Sequence, residues 1–190
     1  IEALASLAAV GLTFAWRARR ISSRARAGVA LMASVVIVVG LLCASRVARG
    51  AAVDALQPEL RGRLVGIVLT PNPSSPLCWS VIGIELDEAG GEFVLWRGTL
   101  SLVSQWKAPT ACASHRFSGS SDVRMIADGR VALRDEIHQP LRRLRDLARR
   151  DCAVRAWLRF ARAPVIAEGS IFDLRFAERL GQNFTHMPLR

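Results

Sequence analysis

The chain has 190 residues, 51% of them hydrophobic, and a formal charge of +10. That combination excludes an ordinary soluble basic domain, because the apolar share is too high, and it predicts that part of the chain sits in a bilayer. The basic residues are arginines apart from Lys107, and there is no tyrosine; with abundant alanine, this skew fits the codon bias of a GC-rich genome better than selection for a ligand.

In chain order, residues 1–16 (IEALASLAAVGLTFAW) come first. They are apolar but short of the roughly 20 residues that a bilayer core of about 30 Å demands, so the sequence is expected to begin inside a membrane helix. A secretory leader would place basic residues ahead of its apolar centre, whereas here they follow it. Residues 28–45 (GVALMASVVIVVGLLCAS) carry no charge and as a helix would cross roughly 27 Å. A buried helix of a soluble protein could share this composition, but so small a chain has little core in which to hide it.

Between the two apolar runs lies a basic loop at residues 17–27, with Arg17, Arg19, Arg20, Arg24 and Arg26. Short loops of this kind stay in the cytoplasm, which directs everything after the second helix outward. Arg46 and Arg49, just beyond that helix, weaken the asymmetry. The expected division is therefore two transmembrane helices in residues 1–45 and an extracytoplasmic α+β domain in residues 46–190.

Within the domain, residues 47–60 read as a short helix broken around Pro58. Residues 63–69 (RLVGIVL), 79–87 (WSVIGIELD) and 92–103 (EFVLWRGTLSLV) read as strands, the last two joined by the turn Glu88, Ala89, Gly90 and Gly91. Three strands in succession suggest an antiparallel meander. Residues 104–128 read as a long connection. In residues 129–163, Leu133, Ile137, Leu141, Leu144 and Ala148 fall at helical spacing, predicting an amphipathic helical region that Pro140 kinks or restarts. Residues 165–168 and 170–176 read as strands. The expected fold class is α+β: an N-terminal transmembrane helical hairpin, then an antiparallel sheet covered on one side by the Arg-rich helical region.

Two stretches stand out. Residues 70–79 (TPNPSSPLCW) hold Pro71, Pro73 and Pro76 ahead of Trp79. Proline fixes its own φ, removes a donor and biases the preceding residue toward extended geometry, so this segment should be a rigid connector that aims Trp79 at the core; a wall of a ligand groove is the other reading. In residues 171–176 (IFDLRF), strand alternation would set Phe172, Leu174 and Phe176 on one face and Ile171, Asp173 and Arg175 on the other. An Asp173–Arg175 pair so formed is more often structural than catalytic, and exposed it contributes about 0–1 kcal/mol.

These stretches, together with LRFARAP at residues 158–164 and DLRF at residues 173–176, resemble bacterial inner-membrane proteins of the YdjM type, labelled membrane-bound metal-dependent hydrolases. The resemblance covers roughly residues 63–190 and rests on Pro71, Pro73, Pro76, Trp79, Asp173 and Arg175. It implies a hydrolase with a divalent metal, whose His and acidic ligands lie near the start of the protein, before the membrane helices. Nothing in residues 1–46 matches that ligand set, so either the chain is a C-terminal fragment whose metal site belongs to preceding sequence, or it lacks the part on which the hydrolase label depends. The alternative is a non-catalytic, membrane-tethered domain for interaction or membrane-surface binding.

Other chemistry is sparse. His115, His138 and His186 are far apart, and Asp135, Glu136 and His138 offer too few ligands for a metal site. If the domain faces an oxidising compartment, one disulfide can form among Cys78, Cys112 and Cys152; Cys78 with Cys112 is one choice, since spacing does not fix connectivity. In the cytoplasm all three would be reduced packing residues. The arginines of residues 142–150 invite a nucleic-acid reading, but Asp135, Glu136, Asp146 and Asp151 interrupt the stripe. A solvated face or contact with anionic headgroups fits better, leaving the lipid bilayer as the expected partner.

Overall fold

The structure, a computed structural model, describes residues 22–73, 75–112, 123–127, 129–167, 169–176 and 185–189. The apolar stretch 1–16 and the first part of the basic loop, which the sequence reading assigns to a first membrane helix and its connection, lie outside the described residues.

A single helix, α1, runs from Ser23 to Leu56, about 51 Å at 1.5 Å per residue. Ser22 caps it, its hydroxyl accepting from Ala25 N. The uncharged run does not end in a break: the expected separate helix at residues 47–60 is the continuation of the same rod. Pro58 acts as anticipated, since regular helix stops at Leu56 and a single 3-10 turn, Gln57–Glu59, leads out. The two halves of α1 have different surroundings. Residues 22–43 are exposed throughout, whereas Ala48, Ala52, Ala55 and Leu56 are buried. Small side chains at i, i+4 and i+7 let the backbone approach a sheet closely.

That sheet has five antiparallel strands in the order β1-β2-β3-β5-β4: β1 Arg63–Asn72, β2 Ser75–Asp87, β3 Glu92–Ser101, β4 Arg124–Ile126 and β5 Val131–Pro140. Side chains alternate across it. Trp79, Val81, Val94, Trp96, Leu100, Val131 and Leu133 form the core under α1, while Ile82, Phe93 and Leu95 face the other way. Gly83 sits on the α1 side, where a Cβ would lie 2.7 Å from Leu56 Cδ1; its missing side chain is the socket for Leu56. The opposite face is closed by α2 (Leu141–Arg150), α3 (Cys152–Trp157) and a three-stranded sheet of β6 (Pro164–Ala167), β7 (Ser170–Asp173) and β8 (Met187–Pro188). Val165, Phe172 and Leu174 meet Phe93 and Leu95 there.

The Arg-rich α2 packs on one face of the sheet, as expected, and α1, continuing into the domain, supplies a second layer on the other, so residue 45 lies within a continuous helix. Three expectations are corrected. Residues 131–140 are strand, not helix. An i, i+4 spacing such as Leu133 and Ile137 satisfies a period of 2 as well as one of 3.6, and the free edge of β3 demands a partner for its backbone donors and acceptors. A bulge at Arg97/Gly98, opposite the extra residue Arg134, then sends Leu133 and Ile137 to different faces. The third strand ends at Ser101, and β7 ends at Asp173, with Leu174–Phe176 turning as 3-10 helix. Phe172 and Leu174 are buried, but Phe176 is exposed.

Candidate functional site

Three polar constructions organise the domain. The first joins α1 to the sheet. Glu85 is 1% exposed, on the α1 side of β2, and its Oε1 accepts from Arg61 N at 2.7 Å and from Gly62 N. Its Oε2 accepts from Trp96 Nε1 at 2.7 Å. A buried carboxylate is tolerated when donors converge on it, and here they come from the chain leaving α1 and from the neighbouring strand. Sequence reading missed this residue. The signal was present in WSVIGIELD: alternation puts Glu85 on the face of Trp79, Val81 and Gly83, an acid on an apolar stripe.

The second lies at the opposite end of the sheet, in the proline-rich stretch. Most of TPNPSSPLCW is strand, not connector: β1 continues to Asn72 and β2 begins at Ser75, with Pro71 opposite Trp79. Pro71 is tolerated because β1 is an edge strand of the sheet. Trp79 is buried under α1, and its Nε1 donates to Pro76 O at 3.0 Å. Cys78 and Cys112 are joined as a disulfide. The same region is cross-tied by Asn72 Nδ2 donating to Cys112 O at 3.1 Å, Leu102 N to Leu77 O at 2.9 Å and Thr99 Oγ1 to Pro109 O at 2.7 Å. These ties hold the turn carrying Trp106 against the β1–β2 tip. Removing both sulfurs (Cys78→Ser with Cys112→Ser) is expected to destabilise the detergent-purified full chain by about 2–4 kcal/mol, because it frees a link between residues 34 apart. Thermal unfolding with and without reductant measures this.

The third is the Asp173–Arg175 clasp. Asp173 is buried at the end of β7. Its Oδ2 accepts from Arg175 Nε at 3.0 Å, Arg175 Nη2 at 2.7 Å and Arg162 N at 2.9 Å, and its Oδ1 from Arg175 N at 3.1 Å. Arg175 also donates to Phe160 O at 3.1 Å. LRFARAP and DLRF thus lie side by side, and Leu174 N bonds to Ala163 O at 2.8 Å. The anticipated pair exists, but it forms across a strand end and is buried on the Asp side, unlike an exposed ion pair. Burial pushes the Asp173 pKa up; the Arg175 guanidinium and the N–H groups of Arg162 and Arg175 more than offset this and hold it below the ordinary value.

Among histidines, His138 stands between two carboxylates, with Nδ1 2.9 Å from Glu92 Oε2 and Nε2 3.0 Å from Glu136 Oε1. The carboxylates engage opposite ring nitrogens, so the trio does not converge on one point where a cation could sit. The hydrogen bond to Glu92, with that to Glu136, raises the imidazole pKa above 6.5 against the opposing effect of burial. A raised folded value means that the contribution is complete below pH 6.5 and is lost as pH rises through the folded pKa. All three groups are about 40% exposed, so the contribution should be about 0–1 kcal/mol. The stability difference between the protein and His138→Gln should shrink from mildly acidic to alkaline pH.

His115 lies outside the described residues, and His186 is exposed. Among the described residues, no three His, Cys, Asp or Glu side chains are grouped to hold a metal ion. The divalent metal implied by the YdjM resemblance has no cradle among the described residues. The arginines of α2 lie on a helix that starts at the β2–β3 turn, where Leu141 N bonds to Gly91 O at 2.9 Å. Cys43 and Cys152 are free and exposed. Comparison with family models, curated proteins and solved structures gave no match.

Proposed function

We propose that the chain is a membrane-anchored protein of a bacterial inner membrane, whose extracytoplasmic domain is a non-catalytic unit for interaction or membrane-surface binding. The observation that carries this is the division of α1: its most apolar 18-residue window has mean hydropathy 2.6 and none of it is buried, while the following turns belong to the domain core. An exposed run of that hydropathy is stable in lipid and unstable in water. Arginines at the helix start and a disulfide beyond it both support an outer location for the domain.

The test uses the two free thiols. In intact cells, an impermeant maleimide should label Cys152 without prior reduction and leave Cys43 unlabelled, and the chain should resist alkaline carbonate extraction. Labelling of Cys152 only after lysis would overturn the topology. Release by carbonate would overturn the anchor.

A second reading keeps the anchor and takes the domain as the C-terminal part of a YdjM-like membrane hydrolase, its metal centre in preceding sequence. Its support is that the two motif segments, residues 158–164 and 173–176, interlock through Asp173 and Arg175, as motifs sharing one structural purpose would. Metal analysis of the longest protein encoded around this sequence, with activity assayed before and after chelation, decides it; a metal-free preparation would count against it.

A further inference from the structure

Resting on the membrane-spanning reading of α1, we propose that the sheet end formed by the β1–β2 tip and the Trp106 turn is a second membrane contact, seated in the headgroup zone of the leaflet from which α1 emerges.

The first step is direction. Residues 57–62 connect α1 to β1, and Arg49, Val53 and Gln57 line one groove with residues 62–67. So β1 runs back along α1, toward its lipid-exposed half. From Ile67 to Asn72 the strand advances roughly 16 Å at about 3.3 Å per residue. From Arg49 back to Ala44 the helix covers only about 7.5 Å at 1.5 Å per residue. Even inclined by about 50° to the helix, the strand would travel roughly 10 Å along it, level with or past Ala44. Burial agrees: Ala44 and Ser45, the last residues of the uncharged run, are already partly covered, and Ala44 packs with the cluster that holds Trp79 and Leu100. The domain therefore begins inside the apolar run and leaves no gap between sheet end and bilayer.

The second step is what this end presents. Pro71, Pro73, Pro76 and Leu77 are exposed along the tip, and Trp106 is 85% exposed at the neighbouring turn, with Lys107 beside it. A tryptophan so exposed in water loses the burial that justifies so large a ring. At a bilayer interface the ring sits among headgroups and upper acyl chains while its N–H stays hydrated, and an adjacent lysine extends to phosphate. Third, the rim is stiff. The Cys78–Cys112 bond, Asn72 to Cys112 and Leu102 to Leu77 fix tip and turn as one edge, so little order is lost on docking. The prolines contribute in the same sense, since they lack N–H donors that would otherwise need water or a partner near lipid.

The test compares the full chain with Trp106→Phe in phosphatidylcholine–phosphatidylglycerol vesicles, with and without bromine on the upper acyl chain. The difference emission isolates Trp106. It should be blue-shifted relative to a hydrated indole, lose most of its intensity with brominated lipid, and resist aqueous iodide. A difference spectrum of a hydrated indole, quenched by iodide and unchanged by bromination, would overturn the proposal. Formation of the Cys78–Cys112 bond reports folding of the variant. Should it fail, a spin label at Ala108→Cys in a Cys43→Ala, Cys152→Ser background replaces it: greater collision with oxygen than with an aqueous nickel chelate supports docking, and the reverse overturns it. Carbonate extraction separates the two readings. A chain that stays in the membrane with hydrated Trp106 sinks this inference alone, and a chain that leaves sinks both.

Discussion

Glu85→Ala should destabilise the full chain in detergent by about 2–4 kcal/mol, the cost of leaving partly and fully buried donors without an acceptor. The alanine would leave the N–H groups of Arg61 and Gly62 and the buried indole N–H of Trp96 without their acceptor. Each orphaned donor costs about 1–3 kcal/mol where water cannot reach it. Glu85→Gln should fall between, because its oxygen can still accept from the two backbone donors while its NH2 group opposes Trp96 Nε1. A double-mutant cycle with Trp96→Phe should be subadditive, since either change alone removes the same bond. The site matters beyond stability. Glu85 fixes the chain where it leaves α1, so its loss should also loosen the domain from its anchor, read as faster amide exchange at Leu56 and Leu60 than at Leu95. Equal protection at all three positions, with unchanged thermal unfolding, would show that the joint does not depend on the carboxylate.

Much of the sheet was legible because apolar alternation in β1, β2 and β3 follows a single period and Gly90-Gly91 marks the turn. The errors have local causes. Residues 131–140 carry spacings that both periods satisfy, and only the unpaired edge of β3, a nonlocal fact, decides for strand. The helix was cut at residue 45 because its hydropathy drops there. Hydropathy records the change of surroundings from an exposed apolar run to the domain core, and backbone conformation is indifferent to that change: RVARGAAVDAL continues the helix because alanine favours it and its small face fits the sheet. Glu85 and the buried state of Asp173 were not legible as partnered groups, since their donors come from residues 11 to 24 positions away. The Asp173–Arg175 pairing was visible, being local.

A consequence of the continuous helix is that the exposed apolar run and the domain share one rigid element. Between Ser23 and Leu56 no break interrupts the rod, so orientation of the sheet relative to the apolar run is set by α1 packing on Gly83, Trp96 and their neighbours and not by a linker.

Asp173→Ala should cost about 3–5 kcal/mol, toward the lower end because Arg175 is partly exposed and can rehydrate once its partner is gone. The carboxylate ties the chain entering β6 to the 3-10 turn after β7 and to the Arg175 guanidinium, and Asp173 N reaches Thr185 Oγ1 at 3.0 Å. Losing it should therefore release the three-stranded sheet first, exposing Phe172 and Leu174 ahead of the five-stranded sheet. The pH dependence separates this from simple loss of packing. With a folded pKa held below 3.8, the carboxylate contributes fully above that value, and its contribution disappears as pH falls through the depressed folded value. Acid unfolding of the protein should show this loss, and Asp173→Asn, which keeps the shape but cannot ionise, should be destabilised at neutral pH and lack that part of the acid slope. Parallel acid profiles for the two proteins would mean that Arg175 does not stabilise the charge, and the clasp would then hold by shape alone.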